Sequence, residues 1–204
     1  MGLVDKLFGG GKKNRNPVSK HGDPSDVSLT ANLPVDERFT IEFKKNGGKF
    51  LYCDSFDEVL RGLHEIRREN QWEQVAFYTG NPLLKKRFDT EEIIFTENPK
   101  QAQVFFSTCE HLIAANGSIL VSSHQLMDFK VFEVPENVIV FATTSQFVAS
   151  LSDGLKSIKL RHKDQIPGNI TTLNHFQPSA MNQQDFMTYG SSSKHLYLIL
   201  LEDL

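Results

Sequence analysis

Short, continuous apolar segments that alternate with amphipathic helical segments constrain the fold of this chain more than any other feature. Residues 137–143 (NVIVFAT) and 195–203 (HLYLILLED) contain apolar runs without a polar residue at every second position, which is typical of strands buried on both faces. Between the strand segments, stretches such as residues 55–70 repeat apolar side chains at the spacing of one helical face. This alternation predicts an α/β fold, with a mostly parallel central sheet flanked by helices.

Composition divides the 204-residue chain near residue 34. Residues 9–33 are rich in Gly, Lys, Asn, Pro and Ser, and they cannot bury enough apolar surface to offset their ordering entropy. We therefore predict a flexible tail over residues 1–33 and one α/β domain over residues 34–204. The tail begins with a short amphipathic stripe beside basic residues, which is either a docking peptide or a fraying terminus. The stripe consists of Leu3, Val4, Leu7 and Phe8.

Three local predictions concern the boundaries of elements. Asp36 and Ser55 stand where the first two helices of the domain begin, and both residue types are favoured N-caps. Residues 109–115 are interpreted as a short helical turn that precedes the strand 118–122. A further helix is predicted over residues 144–159, with Phe147, Val148, Leu151, Leu155 and Ile158 facing inward.

Composition also argues against several functional classes. The net charge of −3 is too close to neutral to favour nucleic acid as a partner, and no apolar run reaches the length of a transmembrane helix. The two cysteines cannot supply an iron–sulfur centre, and no nucleotide-binding glycine motif follows a strand. The start of the chain lacks the features of a secretory signal. We therefore expect a cytoplasmic protein that carries no cofactor.

The histidines and cysteines form no recognisable reactive motif. Seven histidines are scattered without metal-ligand spacing; His111 and His124 flank one strand and could approach each other, but ordinary hydrogen-bonded histidines are the favoured interpretation. No metal site is therefore predicted. Cys109, Glu110 and His111 are adjacent in sequence, and neighbours on a helical turn point apart, so we interpret Cys109 as a buried, idle thiol.

Three polar clusters stand at the ends of predicted strands, and we predict that they surround one cleft for a small carboxylate or phosphate. Residues of the first cluster suit either a tight turn or a backbone left bare for a ligand, and those of the second suit either helix capping or anion binding. The predicted ligand-binding residues are Asn116, Gly117 and Ser118; Thr143, Thr144, Ser145 and Gln146; and Tyr189, Gly190, Ser191, Ser192 and Lys194.

Several stretches together resemble one known family. They are HLIAANGSILVSS (111–123), VPENVIVFATTSQFVASLSDGL (134–155), GNITTLNHFQPS (168–179) and the terminal FMTYGSSSKHLYLILLEDL (186–204). Over residues 34–204 the chain resembles the LUD-domain (DUF162) family, and specifically its lactate utilisation protein C type. The resemblance implies a fold similar to the CoA-transferase and ribose-5-phosphate-isomerase proteins. It also implies a role in oxidation of L-lactate to pyruvate, beside partner subunits that carry the iron–sulfur chemistry.

The chain departs from the family pattern at its polar positions. Where the family has Ala-Glu-Thr-Gly-Thr, this chain has Ala at position 115 in place of the carboxylate, and the family's histidine-containing turn is replaced by residues 189–193. Of a third family loop, only Pro178-Ser179 aligns. The resemblance therefore implies an accessory that binds a partner or a small anion without redox chemistry of its own. Two alternatives stay open: an acyl-CoA or sugar-phosphate-type enzyme using Cys109, Glu110 or His111, and a pure protein-interaction module.

Overall fold

A six-stranded parallel sheet forms the centre of the fold in the computed structural model, which describes residues 32–89, 93–174, 176 and 194–203. Its strand order is β1-β10-β7-β4-β2-β3, and every neighbouring pair is parallel. The strands are β1 Lys49–Cys53, β2 Ala76–Tyr78, β3 Ile94–Phe95, β4 Val104–Ser107, β7 Asn137–Thr143 and β10 His195–Leu201. The predicted α/β fold with a parallel central sheet flanked by helices is confirmed.

A second sheet of four short strands lies beside the first, in the order β8-β5-β6-β9. The strands are β5 His111–Ile113, β6 Ser118–Val121, β8 Phe147–Val148 and β9 Thr171–Leu173. Strands β5 and β6 pair antiparallel, as do β6 and β9, whereas β5 and β8 are parallel. The sequence patterns did not predict this second sheet.

Helices cover both sheets within the described part of the chain. They are α1 Val35–Lys45, α2 Phe56–Glu69, α3 Pro82–Arg87, α4 Ser123–Leu126 and α5 Leu151–Arg161, with 3₁₀ turns at Pro99–Gln101, Val131–Glu133 and Thr144–Gln146. The Ser55 side chain caps α2, as predicted, by accepting a hydrogen bond from the Glu58 backbone N–H at 3.3 Å. None of these helices has both the length and the apolar character needed to cross a bilayer.

The core is divided by the parallel sheet because successive side chains of a strand point to opposite faces. On one face, Ile139 and Phe141 of β7 pack with the apolar side of α2 and with α3. On the other face, Val138 and Val140 pack against α1 and the second sheet. Ile158 of α5 closes the outer side of the second sheet. Burial on both faces explains why the central strands are apolar at consecutive positions.

Three local predictions are wrong. Residues 109–115 contain strand β5 instead of a helical turn, because His111–Ile113 pair with β6 on one side and β8 on the other. The helix predicted to start at residue 144 starts at Leu151, and Leu151 and Leu155 are 43% and 41% exposed. Helix α1 follows Pro34 and has no side-chain cap, so Asp36 lies inside its first turn.

Several predictions concern residues outside those described. These are the amphipathic stripe and most of the predicted tail (residues 1–31), the Pro178-Ser179 loop, and the predicted site residues Tyr189, Gly190, Ser191 and Ser192.

Candidate functional site

The first predicted cluster forms the turn between β5 and β6. The Asn116 side-chain oxygen accepts hydrogen bonds from the Ser118 backbone N–H at 3.2 Å and from the Ser118 hydroxyl at 2.7 Å. At the end of α1, the Asn46 side-chain amide donates to the Asn116 carbonyl at 2.7 Å. These polar groups therefore bond to one another, as is common in turns that begin with Asn.

Gly117 occupies the point of closest approach between this turn and helix α1. Its φ is +63°, which disfavours residues with a side chain. A Cβ atom at this position would lie 2.2 Å from the Phe43 backbone nitrogen and 2.3 Å from the Glu42 carbonyl carbon. The bare backbone of Gly117 therefore accommodates both the turn and the neighbouring helix, and it faces protein at this point.

The second predicted cluster binds a carboxylate that belongs to the chain itself. The Ser145 backbone N–H donates to Asp203 Oδ1 at 2.9 Å, and the Ser145 hydroxyl donates to Asp203 Oδ2 at 2.7 Å. The Thr144 hydroxyl adds a third hydrogen bond to Oδ1 at 2.9 Å. These bonds, led by the Ser145 hydroxyl, lower the pKa of Asp203 to about 2, because they stabilise the ionised form. The arrangement predicted to hold a small carboxylate therefore holds Asp203.

Asp203 is a residue of this site that sequence reasoning missed. Strand β10 pairs with β7 in parallel, and Leu201 lies opposite Thr143. Two residues beyond that pair, Asp203 reaches Ser145. The sequence contained the two strands and the acidic residue, but the register between strands that are far apart in sequence was needed to bring them together.

Gln146 connects the second cluster to the segment between β4 and β5. Its side-chain oxygen accepts from the Thr143 backbone N–H at 2.8 Å, and its side-chain nitrogen donates to the Cys109 carbonyl at 2.6 Å. Its backbone carbonyl lies 3.2 Å from His111 Nδ1. Gln146 therefore holds the backbone around Cys109 and His111, and both polar atoms of its side-chain amide are already hydrogen-bonded within the protein.

Lys194 lies at the opposite end of the central sheet from Thr143–Gln146. It precedes β10, whereas Asp203 follows it, and a seven-residue strand spans roughly 20 Å. The Lys194 amine is buried and donates to the carbonyls of Val134 at 2.8 Å and Pro135 at 3.3 Å. Burial lowers its pKa. The structure therefore does not bring Lys194 together with the other described cluster residues.

An apolar cavity of about 10 Å³ adjoins Lys194, and it has room for roughly one water molecule. It is lined by Phe105, Ser107, Thr108, Val121, Leu126, Val131, Val134, Val138, Val140, Leu173 and Lys194. The cavity does not contact the turn at residues 116–118 or the 3₁₀ turn at Thr144–Gln146. It therefore supplies no common cleft for the predicted site.

Cys109, Glu110 and His111 do not form a nucleophile and base. The Cys109 thiol is 5% exposed, and burial raises its pKa well above the ordinary range. His111 is 3% exposed; burial lowers its pKa, and its Nε2 has no hydrogen-bond partner among the described residues. The Glu110 carboxylate instead approaches His124, whose Nδ1 lies 3.1 Å from Glu110 Oε1.

Comparison with known proteins identifies the family. Residues 37–201 match the LUD domain. The chain belongs to the LUD domain family. A crystal structure of a DUF162 family protein from Deinococcus radiodurans is similar in fold, with a TM-score of 0.57 and 12% sequence identity over 83% of this chain and 96% of that chain. No curated protein matches the chain significantly in sequence.

The part of this LUD-domain protein that matches the family contains the residues of all three predicted clusters but ends before Asp203. Ala115 is exposed, and its backbone N–H donates to the Ala149 carbonyl at 3.1 Å. The carboxylate that the second cluster binds is that of Asp203, and it thus lies outside the matched range.

Proposed function

We propose that this LUD-domain protein serves L-lactate utilisation as an accessory that binds a protein partner. In this proposal, iron–sulfur oxidoreductase subunits carry the redox chemistry, and the LUD domain contributes contacts to them. The family match over residues 37–201 supports the association with lactate utilisation. The chain has only two cysteines, and a cluster ligated by four thiolates needs more, which supports placing that chemistry on the partner.

The Asp203 carboxylate is the observation that favours a protein partner over a small anion. The Thr144 and Ser145 donors already bind it, so an external carboxylate or phosphate at this position would have to displace a charged group of the same sign. Displacing a satisfied carboxylate costs the hydrogen bonds that it makes. In this proposal a small anionic ligand binds at Thr143–Gln146 only by competing with Asp203 for the Thr144 and Ser145 donors.

The alternative of an acyl-CoA or sugar-phosphate-type enzyme needs an accessible nucleophile or acid–base pair. Cys109 is buried with a raised pKa, and the Ala115 side chain cannot carry a proton. These features favour the accessory role. The likeness to the CoA-transferase and ribose-5-phosphate-isomerase fold, the cytoplasmic location and a docking role for residues 1–33 stay predictions.

A genetic experiment tests the proposed function. We expect deletion of the gene to abolish growth of the source organism on L-lactate but not on pyruvate, because oxidation of L-lactate to pyruvate is the affected step. The wild-type gene should restore growth, and Cys109→Ala should restore it equally because a buried thiol takes no part. The purified protein alone should not reduce a dye acceptor in the presence of L-lactate.

Three results would contradict this reasoning. Undiminished growth of the deletion strain on L-lactate would remove the link to lactate utilisation. Reduction of the dye by the purified chain would show that it performs the redox step itself. Failure of a normally expressed Cys109→Ala protein to restore growth would favour the thiol enzyme.

A further inference from the structure

Three side chains with metal-binding atoms meet where the second sheet ends. Glu110 directly precedes β5, His124 lies in the first turn of α4, and His162 follows the last residue of α5. One ligand atom of each side chain lies within 4.8 Å of the others. The three residues come from separate elements, so the fold itself brings them together.

The Glu110 carboxylate is a buried, hydrogen-bonded group at the base of this cluster. Its side chain is only 4% exposed, and Oε1 accepts a hydrogen bond from the Ser122 hydroxyl at 2.7 Å. Ser122 is held in turn by the Gln125 side-chain oxygen, which accepts from the Ser122 backbone N–H at 2.8 Å and lies 3.2 Å from the Ser122 hydroxyl. Support of this kind from neighbouring side chains is what orients the ligands of metal sites.

The two imidazoles cover the carboxylate from the solvent side. His124 Nδ1 lies 3.1 Å from Glu110 Oε1, and the ring centroids of His124 and His162 are 4.8 Å apart at an angle of 58°. The His124 side chain is 46% exposed, and His162 is half-buried. Zinc–ligand bonds of about 2.0 Å place ligand atoms roughly 3.3 Å apart, so metal binding requires the three side chains to draw closer than the 4.8 Å within which their ligand atoms now lie.

Arg161 is the one charge that competes for this carboxylate among the described residues. Its Nη1 lies 3.8 Å from Glu110 Oε2, beyond hydrogen-bond distance, and its side chain is 53% exposed. The Arg161 side chain is therefore mostly in solvent and makes no direct hydrogen bond to the buried Glu110 carboxylate. Arg161 thus approaches Oε2, whereas Ser122 and His124 contact Oε1.

We propose that Glu110, His124 and His162 form a binding site for a divalent transition metal, with Zn²⁺ as the best match. Two imidazoles and one carboxylate are a ligand set of catalytic zinc sites, which keep a fourth position for water or a substrate atom. With His124 exposed and His162 half-buried, solvent reaches the cluster, and the fourth ligand would be a water molecule or a small anion. This proposal is independent of the role in lactate utilisation and departs from the prediction of no metal site.

Calorimetric titration of the full chain with Zn²⁺ tests the proposal. The protein is produced without a polyhistidine tag, treated with a chelator and dialysed before the titration. We expect one equivalent of Zn²⁺ to bind and to raise the thermal midpoint of unfolding, since a metal that binds only the folded state stabilises it. His162→Ala and His124→Ala should each weaken binding at least tenfold, whereas His195→Ala, an exposed histidine at the start of β10, should leave it unchanged.

Glu110→Gln keeps the size of the buried side chain and should also weaken Zn²⁺ binding. Because Glu110 is buried, the binding result for this variant counts only if its circular dichroism matches that of the wild type. If it does not, the His124→Ala and His162→Ala variants decide whether the site exists. Absence of Zn²⁺ binding to the wild type, or unchanged affinity in both histidine variants, would overturn the proposed site.

Discussion

Replacing Gly117 with alanine tests whether its bare backbone serves packing against helix α1. The added Cβ would meet the Phe43 nitrogen at 2.2 Å, the Glu42 carbonyl carbon at 2.3 Å and the Phe43 Cα at 2.7 Å. All three are backbone atoms, so no side-chain rotation relieves the overlap. Either the turn between β5 and β6 or the helix must move.

The expected loss of stability has two parts. Holding alanine at a φ of +63° costs about 1–2 kcal/mol, because the left-handed region crowds the Cβ atom. Displacing a packed helix backbone adds about 1–3 kcal/mol, the usual cost of overpacking. The Gly117→Ala variant should therefore lose roughly 2–5 kcal/mol of unfolding free energy, a large part of the ~5–15 kcal/mol of a typical domain.

Urea unfolding followed by circular dichroism measures this loss, with Gly168→Ala as the matched control. A Cβ atom at Gly168 would have no neighbour within 4 Å, so that variant should stay within about 0.5 kcal/mol of the wild type. If Gly117→Ala is as stable as Gly168→Ala, the close approach to α1 does not explain the glycine. That result would favour the alternative interpretation, in which the backbone is bare so that a ligand can approach it.

Two further predictions follow from perturbed ionisable groups. Asp203→Asn should destabilise the protein at pH 6, because folding lowers the pKa of Asp203 from 3.8 to about 2. The difference in stability between variant and wild type should be fully present above about pH 4 and should disappear as the pH falls through 2. Acid-titrated thermal unfolding checks this, and a constant difference down to pH 2 would contradict it. Cys53 and Cys109 should not react with Ellman's reagent until urea unfolds the chain, since burial raises the pKa of both, that of Cys53 to about 12. Rapid labelling of one thiol in the native protein would show that it is exposed.

The central sheet was predictable from sequence because its two inner strands β7 and β10 are long and buried on both faces. β7 and β10 each contain seven residues, enough for an apolar run to stand out. In the second sheet, β5 has three residues and β8 has two, too few for any periodicity. Their conformation was decided by pairing, because β5 pairs with β8 on one side and with β6 on the other. Tertiary pairing therefore overrode the helical interpretation of residues 109–115.

The candidate site was less predictable because it depends on contacts between distant residues. The polar residues at Thr143–Gln146 stand at a strand end and were identified, but their partner Asp203 is set by the register of β10 against β7. Likewise, Glu110, His124 and His162 show no motif spacing, and only the packing of α4 and α5 near β5 brings them together. Lys194 was assigned to the wrong end of the sheet, since a strand's direction decides which of its flanking residues reach a given edge.

The position of β10 between β1 and β7 has a consequence for synthesis of the protein on the ribosome. β1 ends at Cys53, and among the described strands it pairs only with β10, which begins at His195. At about 5–20 residues per second, β1 emerges several seconds or more before its partner exists. During that interval the edges of β1 and β7 are open to pairing with strands of other nascent chains. The strand order thus leaves the sheet unable to close until the last strand of the chain has been synthesised.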